Sequence, residues 1–323
     1  MLKKVIKTLK NILIAILVLL IIISIVGQAR KYLEKDDVKP LGVLVNVHGK
    51  KMHVYSEGHG NKTIVLMPGL GCAASSIDFK PLINEFKKDF KVGVVEPFGY
   101  GFSEETSKER SVENIVDETK MALKKAKIDG PYILMPHSIS GVYAQYYASA
   151  YPNEVDAIIM LDTTLVKTVI EEKDKIDFSF GKKQFALATI GNFLGIDRIY
   201  YNNIYKNQNC FSERDKNDLV KMGVKSSLNE TMKNEANLLL KNCETVNKAK
   251  MSKDLPTFKF IAIKSVKDTN KEKYTKVMNK NINEFKEYTK FSYSVLEGGH
   301  YIYYTKPKEI GKETREFLAK YDN

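Results

Sequence analysis

Arginine is scarce in this chain, and its scarcity weighs against nucleic-acid binding. The formal net charge is +12, but only five of the 51 basic residues are arginines. They are scattered along the chain, as Arg30, Arg110, Arg198, Arg214 and Arg315. Proteins that read bases or phosphates use the bidentate arginine fork, usually concentrated on one basic face. Here lysines alternate with acidic residues, which is typical of a solvated exterior, so we expect no nucleic-acid partner.

Cysteine is also rare, and this excludes disulfide-rich proteins and proteins with a cysteine-based metal site. The three cysteines, Cys72, Cys210 and Cys243, do not make a disulfide framework, and none has the spacing of a metal-binding motif. Whether Cys210 and Cys243 pair with each other remains open at this point. We expect neither a metal ion nor an organic cofactor.

The first 28 residues are predicted to form a cytoplasmic stub and a transmembrane anchor. Four lysines precede an unbroken apolar run from Ile12 to Val26, in which Ser24 carries the only hydroxyl. This run is slightly shorter than the ~20 residues that span a bilayer comfortably, but flanking residues and snorkelling lysines make a span feasible. Residues 29–40 are predicted to be a linker.

A cleaved signal peptide is the alternative interpretation of this segment, because residues 27–29 offer a small-x-small cleavage site. We favour a retained anchor, since the run of bulky isoleucine and leucine is long for a signal core. Lysines ahead of the run predict a single-pass protein of the cell membrane with its N-terminus in the cytoplasm and the remaining chain outside. Arg30 and Lys31, beyond the run, count against this orientation.

Strands and helices are predicted to alternate along most of the remaining chain. Short apolar runs such as TIVLMPG and VDAIIMLD predict buried strands, and helical stretches separate them. Strands that are apolar throughout indicate a mostly parallel sheet covered on both faces. The alternation stops between Thr163 and Asp254, where only helical segments are predicted. The sequence therefore predicts an α/β core in two parts, 41–162 and 255–323, with residues 163–254 inserted as a helical cap.

The stretch YILMPHSISGVYAQYY, residues 132–147, contains the candidate nucleophile. It reads as a strand, a sharp turn and a helix, with Ser138 at the turn. Ser138 lies in the small-x-Ser-x-small pattern of a nucleophile elbow, although Pro136 and Ser140 stand where glycines are usual. A proline is compatible with the end of a strand because its φ is fixed near about −65°. A hydroxyl at this place can also be purely structural, so the rest of the chain has to supply its partners.

Only one of the five histidines is placed to act as the general base. His48, His53 and His59 lie in or beside a predicted N-terminal hairpin and are interpreted as surface polar residues. His137 adjoins the candidate nucleophile, and we interpret it as structural. His300 follows a predicted strand and two glycines, which let the loop curl and bring the imidazole back to the serine, as a general base requires.

Donors for an oxyanion hole are predicted after the third strand. In LMPGLGCAASS, the glycines at 69 and 71 free backbone N–H groups to point inward. We predict that the amides of Leu70 and Ile139 form the hole. Each donor of this kind typically increases the rate by a factor of about 10²–10³.

Together these motifs resemble the α/β-hydrolase fold family, in the broad group of single-domain proteins with a helical cap. The resemblance rests on IVLMPGLG, EPFGYGFS, PHSISG, YPNEVDAIIMLD and LEGGHYIYYTKPKEI, in this order. In EPFGYGFS, Glu96 replaces the aspartate of the family's D-x-x-G-x-G-x-S loop. The motifs extend from about residue 41 to the C-terminus, apart from the cap. The resemblance implies the α/β-hydrolase fold and a hydrolase mechanism, but it names no substrate.

The acid of the triad is where the sequence departs from the family pattern. The family usually places an aspartate after the seventh strand, nine residues past a proline like Pro256, but that position is Ser265. Asp268 lies three residues further on and would serve only if the loop bulges. The family's other location is the end of the sixth strand, where Asp162 stands. We favour Asp162 and keep Asp268 as the alternative; either carboxylate would orient the histidine and stabilise its protonated form.

These inferences predict a serine hydrolase that cleaves a carboxylic ester or small amide through an acyl-enzyme. A serine nucleophile argues against dehalogenase and epoxide-hydrolase chemistry, and the absence of tryptophan removes the usual halide-stabilising residue. Aromatic residues in the cap predict a small-molecule or short-peptide substrate with an apolar acyl group. Two alternatives are a non-catalytic binding or signalling protein at the membrane, and a lyase or perhydrolase that uses the same triad.

Overall fold

The computed structural model describes residues 1–174, 178–264 and 271–321. Within these residues the strands are β1 (Val43–Val47), β2 (Lys50–Glu57), β3 (Thr63–Met67), β4 (Lys91–Val95), β5 (Tyr132–Pro136), β6 (Val155–Leu161), β7 (Thr257–Ile263) and β8 (Phe291–Glu297). The helices are α1 (Leu2–Glu34), α2 (Ser75–Asp78), α3 (Lys80–Phe86), α4 (Val112–Lys125), α5 (Ser140–Ala150), α6 (Val166–Glu171), α7 (Phe178–Leu194), α8 (Asp197–Tyr205), α9 (Glu213–Ser226), α10 (Glu230–Asn237), α11 (Leu239–Ala249), α12 (Lys271–Phe285), α13 (Ile302–Thr305) and α14 (Pro307–Leu318).

The strands form one mostly parallel sheet in the order β1-β2-β4-β3-β5-β6-β7-β8. β2 pairs antiparallel with both β1 and β4, whereas β4, β3, β5, β6, β7 and β8 are parallel to one another. This arrangement confirms the predicted α/β fold. Because the parallel strands share one direction, the loops that follow β3, β5, β6 and β8 all leave the sheet at the same edge.

Alternation of side chains along the strands divides the core into two layers. On one face, Ile64 and Ile133 pack with residues of α3 and α14, such as Phe86 and Phe317. On the other face, Val65 and Leu134 pack with residues of α4, α5 and α12. Both faces are therefore covered, as the apolar strand sequences predict.

The segments between the parallel strands form helices, as predicted. Between β3 and β4 the helical segment is interrupted at Phe79 and forms α2 and α3, with Pro81 in the first turn of α3. Ser111 caps α4, because its hydroxyl accepts a hydrogen bond from the amide of Asn114. The thiols of all three cysteines are free, which answers the open question about Cys210 and Cys243.

A block of helices, α6 to α11, lies between β6 and β7, and the described residues of this block form no strand. α1 reaches this block with its C-terminal third, after continuing to Glu34 through the first half of the predicted linker. Within α1, residues 24, 27, 31 and 34 are partly buried, whereas the others are exposed. Their spacing of three and four places them on one face of the helix. α1 is long and apolar enough to cross a membrane, and a signal sequence near an N-terminus meets the same criteria.

Candidate active site

Ser138 stands on a strained turn between β5 and α5. Its φ is +55°, in the left-handed region that residues with a side chain rarely occupy. The amide of Ser138 donates to the carbonyl of Leu161 (3.3 Å), and its carbonyl accepts from the amides of Gly141 (3.1 Å) and Thr164 (3.0 Å). These bonds fix the backbone of the turn, while the Ser138 side chain is partly exposed at the sheet edge. The geometry is that of a nucleophile elbow.

Small residues around Ser138 are required by close contacts, although at a different position from the one in the usual pattern. A Cβ atom on Gly141 would lie 2.5 Å from the Cβ of Thr163, so only glycine fits there without displacing the segment after β6. The hydroxyl of Ser140 instead donates to the carbonyl of Pro68. Ser140 thus links the elbow to the loop after β3.

Asp162 and His300 are brought together at the same edge of the sheet. The Nδ1 atom of His300 lies 2.7 Å from Oδ2 of Asp162, and the amide of Ala262 donates to Oδ1 of Asp162 at 3.1 Å. The φ of Asp162 is +43°, so the chain turns sharply at the end of β6 and presents the carboxylate to the imidazole. If Nδ1–H donates to the carboxylate, Nε2 is left unprotonated and can accept a proton.

The site is open to solvent in this conformation. The side chain of His300 is 46% exposed and that of Asp162 is 25% exposed. Among the described residues, no hydrogen bond joins the hydroxyl of Ser138 to the imidazole of His300. Such bonds are often long in unliganded enzymes and tighten when substrate binds. The alternative acid, Asp268, and Ser265 both lie outside the described residues.

The loop after β3 lies directly against the elbow. A Cβ atom on Gly69 would come within 3.0 Å of the Cβ of Ser138 and 2.7 Å of Nδ1 of His137. Glycine at 69 therefore lets the backbone approach the nucleophile. The predicted donors are the next residues in the two segments that meet here: Leu70 follows Gly69, and Ile139 follows Ser138. Among the described groups, neither amide has another hydrogen-bond acceptor, so both are free to bind an oxyanion.

His137 holds the loop that carries His300. Its Nε2 atom lies 3.0 Å from the carbonyl oxygen of His300, and the two rings are 4.5 Å apart between centroids. Burial, with a smaller contribution from the neighbouring His300, lowers the pKa of His137 to about 3. A neutral His137 that donates Nε2–H to this carbonyl is consistent with the structural role that we predicted for it.

Lys259 is a residue near the site that sequence reasoning missed. It is fully buried on β7, and its Nζ atom donates to Oγ1 of Thr163 (2.8 Å) and to the carbonyl of Thr163 (3.1 Å). Burial lowers the pKa of Lys259 to about 8, although the charges of Glu284 and Asp162 oppose this shift. A lysine inside the apolar run LPTFKFIAI was the available signal.

A second missed group ties the loop after His300 to α2. The buried carboxylate of Asp78 accepts hydrogen bonds from the hydroxyls of Tyr303 (2.6 Å) and Tyr304. Burial raises the pKa of Asp78 to about 6, while the bonds from both tyrosines act in the opposite direction. The tyrosines of HYIYYT therefore anchor the strand–loop segment that presents the candidate base.

The prediction that the hairpin histidines are surface residues is wrong for His53. Its imidazole is completely buried, and Nδ1 lies 3.1 Å from Oε2 of Glu96. Glu96 also accepts hydrogen bonds from the amides of Ser76 (3.1 Å) and Phe102 (2.8 Å). Glu96, which replaces the usual aspartate of this loop, therefore has a structural role. Its buried carboxylate is satisfied by these partners and links them. His48 and His59 are exposed, as predicted.

A cavity of about 400 Å³ opens among the cap helices beside the loop after β3. Leu228 forms part of its wall and packs, as Leu70 does, against the buried cluster that contains Cys72. This volume lies in the range that holds a small ligand. In the described parts of the chain, no group of three histidine, cysteine or acidic side chains is arranged to hold a metal ion.

Comparison with known proteins agrees with this fold. The sequence profile of the alpha/beta hydrolase fold matches residues 62–184. The chain is 33% identical over 320 residues to the uncharacterized protein YbdG of Bacillus subtilis (strain 168), covering 95% of both chains. It is also 32% identical over 124 residues to the human serine hydrolase BPHL, covering 36% of this chain and 40% of that one.

Solved structures extend the likeness over nearly the whole chain. The Cif epoxide hydrolase from Acinetobacter nosocomialis superposes with a TM-score of 0.68 at 16% sequence identity, covering 91% of this chain and 96% of that one. At this identity the likeness concerns the fold. The sheet order, the matched profile and the full-length similarity to a bacterial relative together show that this chain is a hydrolase belonging to the α/β-hydrolase fold family.

Proposed function

We propose that this hydrolase cleaves carboxylic esters with Ser138 as nucleophile, His300 as general base and Asp162 as the triad acid. The observation that supports it most is the 2.7 Å contact between Asp162 and Nδ1 of His300, at the sheet edge where Ser138 stands in a left-handed turn. Small amides and thioesters fit the same chemistry.

In the proposed reaction, Nε2 of His300 accepts the proton of the Ser138 hydroxyl as Oγ bonds to the substrate carbonyl carbon. The amides of Leu70 and Ile139 stabilise the negative oxygen of the tetrahedral intermediate. The protonated imidazole then donates its proton to the departing alkoxide, which leaves an acyl-Ser138. Water, deprotonated by His300, attacks the acyl carbon, and the acid product leaves with Ser138 regenerated. Asp162 holds the imidazole orientation and stabilises its positive charge throughout.

A serine at the elbow favours acyl transfer over epoxide opening. Several structural neighbours are described as epoxide hydrolases, including the one from Acinetobacter nosocomialis, but they are only about one-sixth identical in sequence. The human relative, which matches over 124 residues, is described as a serine hydrolase. An aspartate at position 138 would be needed for attack on an epoxide through an alkyl-enzyme ester, and this chain has serine.

Asp162 is favoured over Asp268 because two independent contacts already orient its carboxylate. One oxygen faces His300, and the other accepts the amide of Ala262. Lys259 supports this arrangement because its ammonium group donates hydrogen bonds to Thr163, the residue after Asp162. We therefore propose Lys259 as a positioning residue for the triad acid.

Residues 163–254 are proposed to act as the cap over the site, and α1 as a retained anchor. Ser24 Oγ donates to the carbonyl of Phe193 at 2.6 Å, and Gln28 Nε2 donates to the carbonyl of Asn192 at 2.5 Å. Cleavage after Ala29 would remove these contacts, whereas a retained helix keeps them. The lysines before the apolar run favour placing the hydrolase domain on the extracytoplasmic side.

The nucleophile is tested by labelling with a fluorophosphonate, which phosphonylates an activated serine. The full chain should be labelled, and Ser138→Ala should lose the label completely because the proposed nucleophile is removed. Ser140→Ala is the matched control in the same turn and should still be labelled, more slowly, since Ser140 supports Pro68. Equal labelling of Ser138→Ala would contradict the proposal. No labelling of the folded parent would favour a non-catalytic binding protein.

The acid is tested by comparing Asp162→Asn with Asp268→Asn. Asp162→Asn should lower kcat for a p-nitrophenyl ester by about 10³–10⁴, because the amide favours the wrong tautomer of His300. Asp268→Asn should stay within a few-fold of the parent. The reverse pattern in steady-state kinetics would transfer the role of the acid to Asp268.

The positioning role is tested with Lys259→Met. We expect kcat to fall roughly tenfold, because the carbonyl of Thr163 loses a buried hydrogen bond and the acid loses its support. Loss of the positive charge near Asp162 should also favour the protonated form of the base, which moves the acidic limb of the kcat/KM profile to higher pH. Lys264→Met, an exposed lysine just after the same strand, is the control. A lower rate with an unshifted pH profile would indicate a merely structural role.

A further inference from the structure

The geometry points to a cap that lies on the membrane surface and admits the acyl chain of a lipid-like ester directly from the bilayer. This inference rests on the proposed function and deepens it by naming the class of substrate. It is carried by three features: the contact of α1 with the cap, an exposed apolar face beside that contact, and a cavity that opens from this face toward the loop after β3.

The contact between α1 and the cap fixes where the cap lies relative to the membrane. A Cβ atom on Gly27 would lie 2.5 Å from Cα of Gly195, so the two backbones touch. Ser24, which bonds to the carbonyl of Phe193, stands two residues before the end of the apolar run at Val26. With a rise of about 1.5 Å per residue, this contact is only ~3 Å from the end of the run. The C-terminal end of α7 therefore lies at the level where α1 leaves the bilayer.

The face of the cap beside this contact is apolar and exposed. We call Leu187, Ile190, Phe193, Ile199 and Tyr200 the cap patch; their side chains are 54% to 69% exposed. The first three follow one another at a spacing of three along α7, and the last two lie in the first turn of α8. Among the described residues after position 34, more than half of the large exposed apolar side chains lie between 187 and 200.

A soluble surface rarely groups apolar side chains in this way. Since α1 brings this segment to the edge of the bilayer, the occupant of the cap patch that fits best is the membrane surface itself. Amphipathic helices bind there by burying one apolar face at the boundary between headgroups and acyl chains. The patch continues the apolar surface of α1, so both would be covered by the same lipids.

The cavity of about 400 Å³ opens from this patch toward the loop that carries the proposed oxyanion hole. Leu187 and Tyr200 belong to both the cap patch and the cavity wall. Leu228, another wall residue, lies beside this loop, because its Cδ2 atom would be 3.4 Å from a Cβ added to Gly71. An acyl chain that enters between α7 and α8 would thus end with its carbonyl toward Ser138. A membrane lipid with an acyl ester, or a free long-chain ester dissolved in the bilayer, presents such a chain.

The absence of tryptophan makes the membrane contact directly measurable. Phe193→Trp introduces a single indole into the cap patch of the full chain, reconstituted in phosphatidylcholine vesicles with or without brominated acyl chains. We expect a shift of emission to shorter wavelength and a loss of roughly half or more of the intensity with brominated lipid, as for a side chain at the headgroup–acyl boundary. Tyr293→Trp, on the exposed face of β8, is the control and should be quenched little.

Unquenched emission from Phe193→Trp would overturn the proposal, and so would a blue shift that brominated lipid does not quench, because a second protein copy would then cover the patch. Ile199→Trp provides a second position if the first variant does not fold. Fluorophosphonate labelling of the same vesicles reports separately on Ser138. The membrane proposal can therefore fail while the hydrolase proposal stands, and the reverse.

Entry of the acyl chain is tested with Gly191→Leu, which projects a side chain into the cavity. Space exists for it, since the nearest atom to an added Cβ, on Ile196, is 3.8 Å away. The ratio of rates for a long-chain ester in vesicles and an acetyl ester in water should fall roughly tenfold. Ala186→Leu, exposed on the same helix, should leave the ratio as in the parent. An unchanged ratio in Gly191→Leu would show that acyl chains do not use this cavity.

Discussion

The hydrogen bonds that clasp Ser138 to the segment after β6 organise the whole site. The amide of Ser138 donates to Leu161, and its carbonyl accepts from Thr164, so the turn that carries the nucleophile and the turn that carries Asp162 are fixed to each other. Both turns contain a residue with positive φ, which persists only when the surroundings determine it. Gly141 makes the clasp possible, since any larger residue would collide with Thr163. Movement of either turn would therefore disturb the other.

Buried charges around this clasp have partners that hold the surrounding loops. Lys259 supports Thr163, the carboxylate of Asp78 binds the tyrosines after His300, and Glu96 joins His53 to the loop near Phe102. An unpaired charge in such an environment would cost several kcal/mol, whereas a fully bonded one restrains the backbone that surrounds it. Each of these groups acts on a loop at the carboxyl edge of the sheet. The core thus positions the site by polar contacts as well as by packing.

Much of this architecture could be predicted from the sequence, because local signals agree with the final structure. The apolar strands, the capped α4 and the strand–turn–helix around Ser138 each carry their own pattern, and the motif order led to the family. Buried polar residues could not be predicted in this way. His53 alternates with apolar neighbours in a strand that looked half exposed, but its imidazole is buried because a distant segment, the loop that holds Glu96, covers it.

The choice of acid and the placement of α1 show the same limit. Both Asp162 and Asp268 follow a strand, and sequence spacing cannot decide between them, whereas the distance to His300 favours Asp162. The apolar run of α1 predicts a span, but its contact with Gly195 is a tertiary feature with no local signal. That contact is what relates the cap to the bilayer.

The central claim is that the carbonyl carbon of an ester becomes covalently attached to Ser138. It is tested most directly by mixing the full chain with a p-nitrophenyl ester, stopping the reaction with acid within the first turnover, and mapping the acylated peptide by mass spectrometry. The account predicts an acyl group on Ser138, formed with one equivalent of p-nitrophenol. Release of p-nitrophenol with an acyl group on another residue, or with none on the protein during the first turnover, would contradict it.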